Sequence, residues 1–294
     1  MLVIVGFIII FGGVSVGFAM AAGGHGSMNF GAIGGLFHLN EFISLGGMVI
    51  GSMVVMAPMG VLKGVIKQGL GTLKGAPFSK ADYEELFQCM YELFQMGRKG
   101  GMIALEEHVM NPEASALFQK YPKFHGNHHA LEYMADGLKP IVDGRIKPDQ
   151  LEPLMARSLH TMEEEHHGPI LVMTKVADSL PAFGIVAAVL GIIVVMMFKI
   201  GGDTAVVGQG IATALAGTFF GIFGSYCIIA PIATNADFNG HAEITYMKVI
   251  KSAVISFANG LPPLVACEVG RRELSEDVRM GSGDLETLLK SGGG

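Results

Sequence analysis

Residues 179–198 read SLPAFGIVAAVLGIIVVMMF, an unbroken stretch with no charged side chain. A helix of that length rises about 1.5 Å per residue and so crosses a hydrocarbon core roughly 30 Å thick. After a short break at 199–204, a second apolar stretch rich in small residues runs over 205–233. Glycine and alanine recur through both, which lets helix backbones approach closely in lipid. Each stretch carries one proline near an end, Pro181 and Pro231. The expected fold class is therefore all-α, a polytopic membrane protein whose function lies in how these helices meet.

Toward the N-terminus two further spans are expected, over 1–22 and 36–62, the latter with an interfacial lead-in before Asn40. Residues 1–62 hold one acid, Glu41, and no Lys or Arg. The first run ends in Ala-Met-Ala-Ala like a secretory cleavage site. It lacks a basic n-region and is longer than an h-region, so it reads as a retained helix. Only 16% of the 294 residues are charged, against about 25% in an ordinary soluble domain. The net charge of −6 speaks against a nucleic-acid partner. Cys89, Cys227 and Cys267 have no paired spacing, so neither a disulfide framework nor a thiolate metal site is expected.

Four spans divide the chain into a periplasmic loop over 23–35, a large segment over 63–178, a second periplasmic loop over 199–204, and a tail over 234–294. Of the 20 Lys and Arg residues, all but Lys199 fall in the large segment and the tail. The positive-inside rule then places both of those, and both termini, on the cytoplasmic side of the inner membrane. Lys63, Lys67 and Lys74 can reach the headgroups while their stems cover apolar surface.

Within the large segment, Ser79 followed by Asp82 marks a helix start. Leu86, Met90, Leu93 and Met96 then form an apolar stripe at helical spacing. Gly97, Gly100 and Gly101 around Arg98 and Lys99 predict a bend or restart. Residues 102–109 read as a further helical piece carrying Glu106 and Glu107, stopped by Asn111-Pro112. A turn-rich break is expected over 140–148 and another helix over 150–167. The segment is thus an all-helical bundle. The tail reads as helical over 242–276 with an interruption at Pro262-Pro263, and 280–294, rich in Gly and Ser, as disordered.

Candidate chemistry is sparse. His125, His128 and His129 cluster, and His160, His166 and His167 surround Glu163–Glu165, but none forms a ligand motif. They read as a charged helix surface, with no metal or cofactor expected. No phosphate cradle or nucleophile elbow occurs, and no enzymatic activity is expected. The more telling observation is that 179–198 and 205–233 contain no Asp, Glu, Lys, Arg or His. A proton relay or cation carrier needs such a group at membrane depth, so it is expected from another chain. What remains is neutral: Gln209, Thr213, Thr218, Ser225 and Tyr226. Their hydroxyls either face a path or bond back to their own helix. Gly217 with Gly221, extended by Gly210 and Ala214, and Ala187 with Gly191 form small-residue packing faces. Pro181 and Pro231, at matched depth, read either as a hinge pair or as ordinary kinks.

The run Asp178-Ser179-Leu180-Pro181-Ala182-Phe183-Gly184-Ile185-Val186-Ala187-Ala188 closely resembles the MotA family of flagellar stator subunits. So do Ala216 to Gly221, Tyr226 to Pro231, the segment from Arg98 through Glu106 to Glu113, and the tail from Asn259 to Arg271. The resemblance covers most of the chain and includes the four-span plan. It implies that Arg98 and Glu106, with Lys99 and Glu107 beside them, meet the rotor protein FliG. It implies that Pro181 and Pro231 couple ion passage to motion of the cytoplasmic domain. Thr218 and Tyr226 would face the single membrane helix of a peptidoglycan-anchored MotB partner, which would supply the missing acid. The assembly implied is a homopentamer around two MotB helices, embedded in lipid.

Sodium-driven relatives of the PomA type resemble one another in placing hydroxyls on both the third and fourth spans. Here Thr218 is present but the third-span position is Ala188, so the conducted ion is expected to be the proton. The alternative family is the ExbB/TolQ class of proton channels, whose three-span plan fits less well. A scaffold without ion flow is the remaining alternative.

Overall fold

Every regular element that the computed structural model describes is helical. It describes residues 2–23, 27–75 and 77–291, so expectations that fall on 1, 24–26, 76 and 292–294 lie outside the described residues. In chain order the helices are α1 (Leu2–Gly23), α2 (Leu39–Met56), α3 (Met59–Gly71), α4 (Lys80–Gly100), α5 (Glu106–Met110), α6 (Ala116–Gln119), α7 (Pro122–His125) and α8 (His128–Val142). There follow α9 (Pro148–Phe198), α10 (Thr204–Phe223), α11 (Ala230–Ala258), α12 (Pro263–Arg271) and α13 (Ser282–Ser291). A π-helical stretch, Gly224–Ile229, joins α10 to α11.

The chain divides into two units. The first comprises Met1–Gly75 and Glu165–Phe238. Among the described residues, four helices are long and apolar enough to cross a membrane: Leu2–Gly23, Leu39–Met56, Pro148–Phe198 and the run Thr204–Ala258. Their large apolar side chains are widely exposed, among them Val55, Ile185, Leu190 and Met197. Such continuous apolar exposure suits lipid and neighbouring membrane helices, not water. The chain is a multi-pass inner-membrane protein.

Several boundaries differ from the sequence expectation, each for a local reason. The second span is not continuous over 36–62. Residues Phe30–Leu36 form a 3-10 turn, α2 stops at Met56, and Ala57 is extended with φ −143° and ψ 145°. Pro58 forces this, because the residue before a proline is driven out of the helical region. The third span, expected over 179–198, is the end of one 51-residue helix, α9. Gly168 and Pro169 do not interrupt it, since Pro169 packs on the bare backbone of Gly64, where an added Cβ would sit 2.5 Å from its Cγ. The fourth span likewise runs on past 233 to Ala258. The turn between α9 and α10 uses Gly201 at φ 104°, and Asp203 Oδ1 accepts from Ala205 N at 3.1 Å to start α10.

The second unit comprises Ala76–Glu164 and Asn239–Gly294. Helix α4 begins at a capping box in which Ser79 N donates to Asp82 Oδ2 at 2.7 Å. Burial works against ionising Asp82. The bonds from Ser79 and the Lys123 ammonium outweigh it and hold the carboxyl below the usual carboxylate range. The stripe Leu86, Met90 and Leu93 is fully buried and joins one core with α8, Leu151, Met155 and Leu159 of α9, α11, α12 and α13. Glu85 Oε1 accepts from Lys123 N at 2.6 Å and Phe124 N at 3.1 Å, closing the start of α7. Helix α8 continues through Pro140 to Val142, because a proline this near the end forfeits little helix beyond it, and the break narrows to a turn with Gly144 at φ 66°.

The expectation of disorder over 280–294 is corrected for the described residues up to 291. Residues Ser282–Ser291 form α13, and Leu285 and Leu289 bury against the core. The four-residue spacing of those leucines carried the signal that the glycine-rich composition hid. Arg271 holds the approach to this helix. Its Nε and Nη2 each donate to a Glu268 oxygen at 2.7 Å, and its Nη1 donates to Met280 O at 2.9 Å. The Arg271 bonds pull the Glu268 carboxyl below its ordinary range.

Candidate functional site

Two regions bring candidate residues together, one in each unit. In the membrane unit, α9 and α10 cross at their small residues. A Cβ built on Gly184 would lie 2.9 Å from Gly217 O, and one on Gly221 would lie 2.7 Å from Leu180 O. A Cβ on Gly191 would meet that of Ala214 at 2.9 Å. Glycine is required here by close approach of two backbones. Ala187 and Ala188 are both buried in this contact. Thr218 Oγ1 reaches across to Gly184 O at 3.5 Å, whereas Thr213 Oγ1 bonds back to Gln209 O at 2.9 Å. Only Thr213 thus follows the reading that these hydroxyls bond back to their own helix; Thr218 bonds across to α9 instead.

The prolines acquire a specific setting. Pro181 has no N–H, so the carbonyl four residues before it, Ala177 O, loses its helical donor. Ser225 Oγ supplies one from the other helix at 2.7 Å. Ser225 is 1% exposed and lies in the π-helical stretch, whose widened turn precedes Pro231 and closes with Ala230 N donating to Ser225 O. A π turn of this kind marks a place where the helix ladder shifts register. Tyr226 and Pro231 line a shallow groove of about 450 Å³ with Ala230, Thr234, Asn235 and Phe238.

One acid of this chain also lies among these helices. Glu41, in the first turn of α2, is 6% exposed. Its Oε2 would lie 2.5 Å from a Cβ on Gly217, and its Oε1 lies 3.6 Å from the corresponding position on Gly191. The small-residue faces therefore make room for a carboxylate as well as for helix packing. Sequence reading passed over Glu41 because it confined the search to 179–233. The usable signal was a lone acid in an otherwise uncharged 62-residue stretch.

In the helical unit, Arg98 and Lys99 occupy the last turn of α4, and Glu106 and Glu107 the first turn of α5. All four are exposed. Cations at a helix C-terminus and anions at an N-terminus match the partial charges there. Gly101, at φ 75°, ends α4, and a 3-10 turn, Met102–Leu105, separates the two charge pairs. Gly97 does not bend the helix; it makes room for Phe257, whose Cζ would be 2.7 Å from an added Cβ. Arg98 Nη1 donates to Gly260 O at 3.2 Å in the turn after α11. Ile103, 78% exposed, stands between the two charge pairs.

The histidines separate. His128 pairs with Glu113 at 2.7 Å and His160 with Glu164 at 3.5 Å on exposed surface. His166 instead sits between helices of the membrane unit, against Gln68 Nε2 at 3.2 Å and Ala236 O at 3.3 Å. Among the described residues no three His, Cys, Asp or Glu side chains are placed to hold a metal ion.

An acid held among close-packed membrane helices, together with a charged edge on a helical domain, defines a polytopic helical membrane subunit. Residues 4–101 match the family described as "Motility protein A N-terminal", and residues 126–248 match the "MotA/TolQ/ExbB proton channel family". Motility protein A of Salmonella typhimurium is 32% identical over 291 residues, 99% of this chain and 96% of that protein. Chemotaxis protein LafT of Vibrio parahaemolyticus is 30% identical over 259 residues, 88% of this chain and 90% of that one. The fold matches the C. jejuni MotAB structure with a TM-score of 0.75 at 21% identity, over 95% of this chain and 98% of that one. The chain belongs to the motility protein A branch of the MotA/TolQ/ExbB proton channel family.

Proposed function

We propose that this chain is a stator subunit of a proton-driven flagellar motor, acting with a MotB-type partner and turning the rotor protein FliG. The observation that carries the reading is the pairing of two features in one chain of this family. One is a membrane unit whose α9–α10 crossing is cut by Pro181, the π stretch and Pro231. The other is an exposed edge bearing Arg98, Lys99, Glu106 and Glu107. The solved relative from Bacillus subtilis, the flagellar MotAB stator complex, has the same fold with a TM-score of 0.70.

In this reading the exposed apolar faces of the membrane helices pack against further copies, five in a ring around two partner helices. Thr218 and Tyr226 lie beside the path, and the partner supplies its own carboxylate. Ala188 is buried and offers no oxygen, so a sodium ion would find too few ligands to replace its hydration shell, whereas a proton needs only a carboxylate and a hydrogen-bonded route. Complementary charges at the edge guide engagement with the rotor while burying little apolar area.

The test is affinity purification of the tagged chain from native membranes, followed by identification of what comes with it. Recovery of a single-span protein with a peptidoglycan-binding domain, and loss of swimming with intact filaments on deletion of the gene, are the expected results. Recovery of an outer-membrane energy-coupling partner with normal swimming would assign the chain to the ExbB/TolQ kind of work instead.

A further inference from the structure

Glu41 is a carboxylate 94% out of solvent whose Oε2 is left without a hydrogen-bond partner. An ionised carboxylate in such a place is costly, and a membrane interior raises that cost. The residues packed on it from α9 and α10 offer no neutralising group. From α9 it meets Ala187 and Gly191, and from α10 Ala214 and Gly217. Lys199 and Asp203 stand at the ends of these helices, with the Lys199 ammonium beside Gly210, two turns from Gly217. The titratable side chain on its own element is His38, which precedes α2, is three residues away and lies within electrostatic reach.

His38 Nε2 lies 3.3 Å from the Thr213 hydroxyl, which is also 2.9 Å from Gln209 O. When that hydroxyl donates to Gln209 O it accepts from Nε2–H, and Nδ1 is then the nitrogen open to a proton. His38 is half-buried and immediately precedes α2, three residues before Glu41.

We propose that His38 and Glu41 form a proton-loading site built into this chain, in the outer half of the membrane unit. The placement as outer rests on the stator reading and its topology. A proton from outside water adds to His38 Nδ1, giving the imidazolium. The same proton passes to a Glu41 carboxylate oxygen, which restores the neutral imidazole and leaves a neutral carboxylic acid. That acid rests between α2, α9 and α10 until it releases its proton inward and returns to carboxylate. No electron moves, and each step exchanges one proton. A sodium ion is a poor occupant, because glycine and alanine surround the carboxylate and the Thr213 hydroxyl is already engaged.

The test reads protonation directly in the wild-type complex in native-lipid membranes, with no need for rotation. Dicyclohexylcarbodiimide attacks protonated carboxyls in apolar surroundings, and digestion with mass spectrometry locates the adduct. The expected result is an adduct on Glu41 that falls about tenfold per pH unit once the pH exceeds its apparent pKa. Absence of the adduct across about pH 5 to 9, or a pH-independent one, overturns the site. Suppression by sodium at fixed pH overturns it in favour of a cation site.

H38Q keeps the Glu41 adduct but slows the motor several-fold and changes its dependence on external pH. Wild-type speed and profile in H38Q would remove His38 from the route. E41D, which retracts the carboxyl by one methylene, keeps part of the speed and the labelling. Because labelling does not depend on a rotor, its failure and the failure of the stator reading are separately visible.

Discussion

In the proposed reading Arg98 and Glu106 carry the rotor contact. Both are exposed, so the stability cost of substitution is small, set for Arg98 by its bond to Gly260 O at about 1 kcal/mol. The double reversal R98E/E106K is therefore expected to leave membrane abundance unchanged while cutting swimming speed severely. Unaltered swimming would show that this edge is not the rotor contact, or that Lys99 and Glu107 carry it. Glu268 illustrates the opposite case. Hydrogen bonds to a charged group contribute about 1.5–3 kcal/mol, and here they pin the approach to α13. Because Arg271 lowers the Glu268 pKa in the folded state, the contribution is complete above the unfolded value of 4.5 and is lost as the pH falls through the folded one. Hydrogen exchange on the purified complex should show α13 protected at neutral pH and opening in acid. E268Q should leave it weakly protected at both, and equal protection in both proteins would contradict this.

Among the elements, the α9–α10 pair decides whether the prolines form a hinge. P181A gives Ala177 O a donor within its own helix and makes the Ser225 hydroxyl redundant. P181A and P231A are each expected to reduce motor speed far more than assembly, and wild-type speed with wild-type proton conductance in both would end the hinge reading. A double-mutant cycle adds a sharper check. S225A should cost more in the parent than in P181A, with a coupling of about 1 kcal/mol for the shared carbonyl. Additive effects would mean that Ser225 does not stand in for the missing proline donor. The proline pair was legible in the sequence, but the part played by Ser225 was not, since there it is one hydroxyl among several. A hydrogen bond between residues 177 and 225 is a tertiary fact. By contrast, the four spans, the Ser79 helix start and the α4 stripe followed directly from charge and periodicity. Pro58 could have been read as the end of α2 but was outweighed by the apolar run around it. Leu285 and Leu289 were outweighed by neighbouring glycines. Glu41 was visible from the start, yet only the fold brings it against Gly191 and Gly217.

For the whole molecule, the central claim is that ion flow through the membrane unit is a proton flow and drives rotation. The direct measurement uses cells lacking their own stator subunits and carrying this chain with its native partner. The rotation speed of tethered cells is followed while sodium is replaced by potassium at fixed pH, and then on addition of a protonophore. The account predicts unchanged speed after the cation exchange and arrest with the protonophore. Rotation that stops without sodium and survives the protonophore would contradict it.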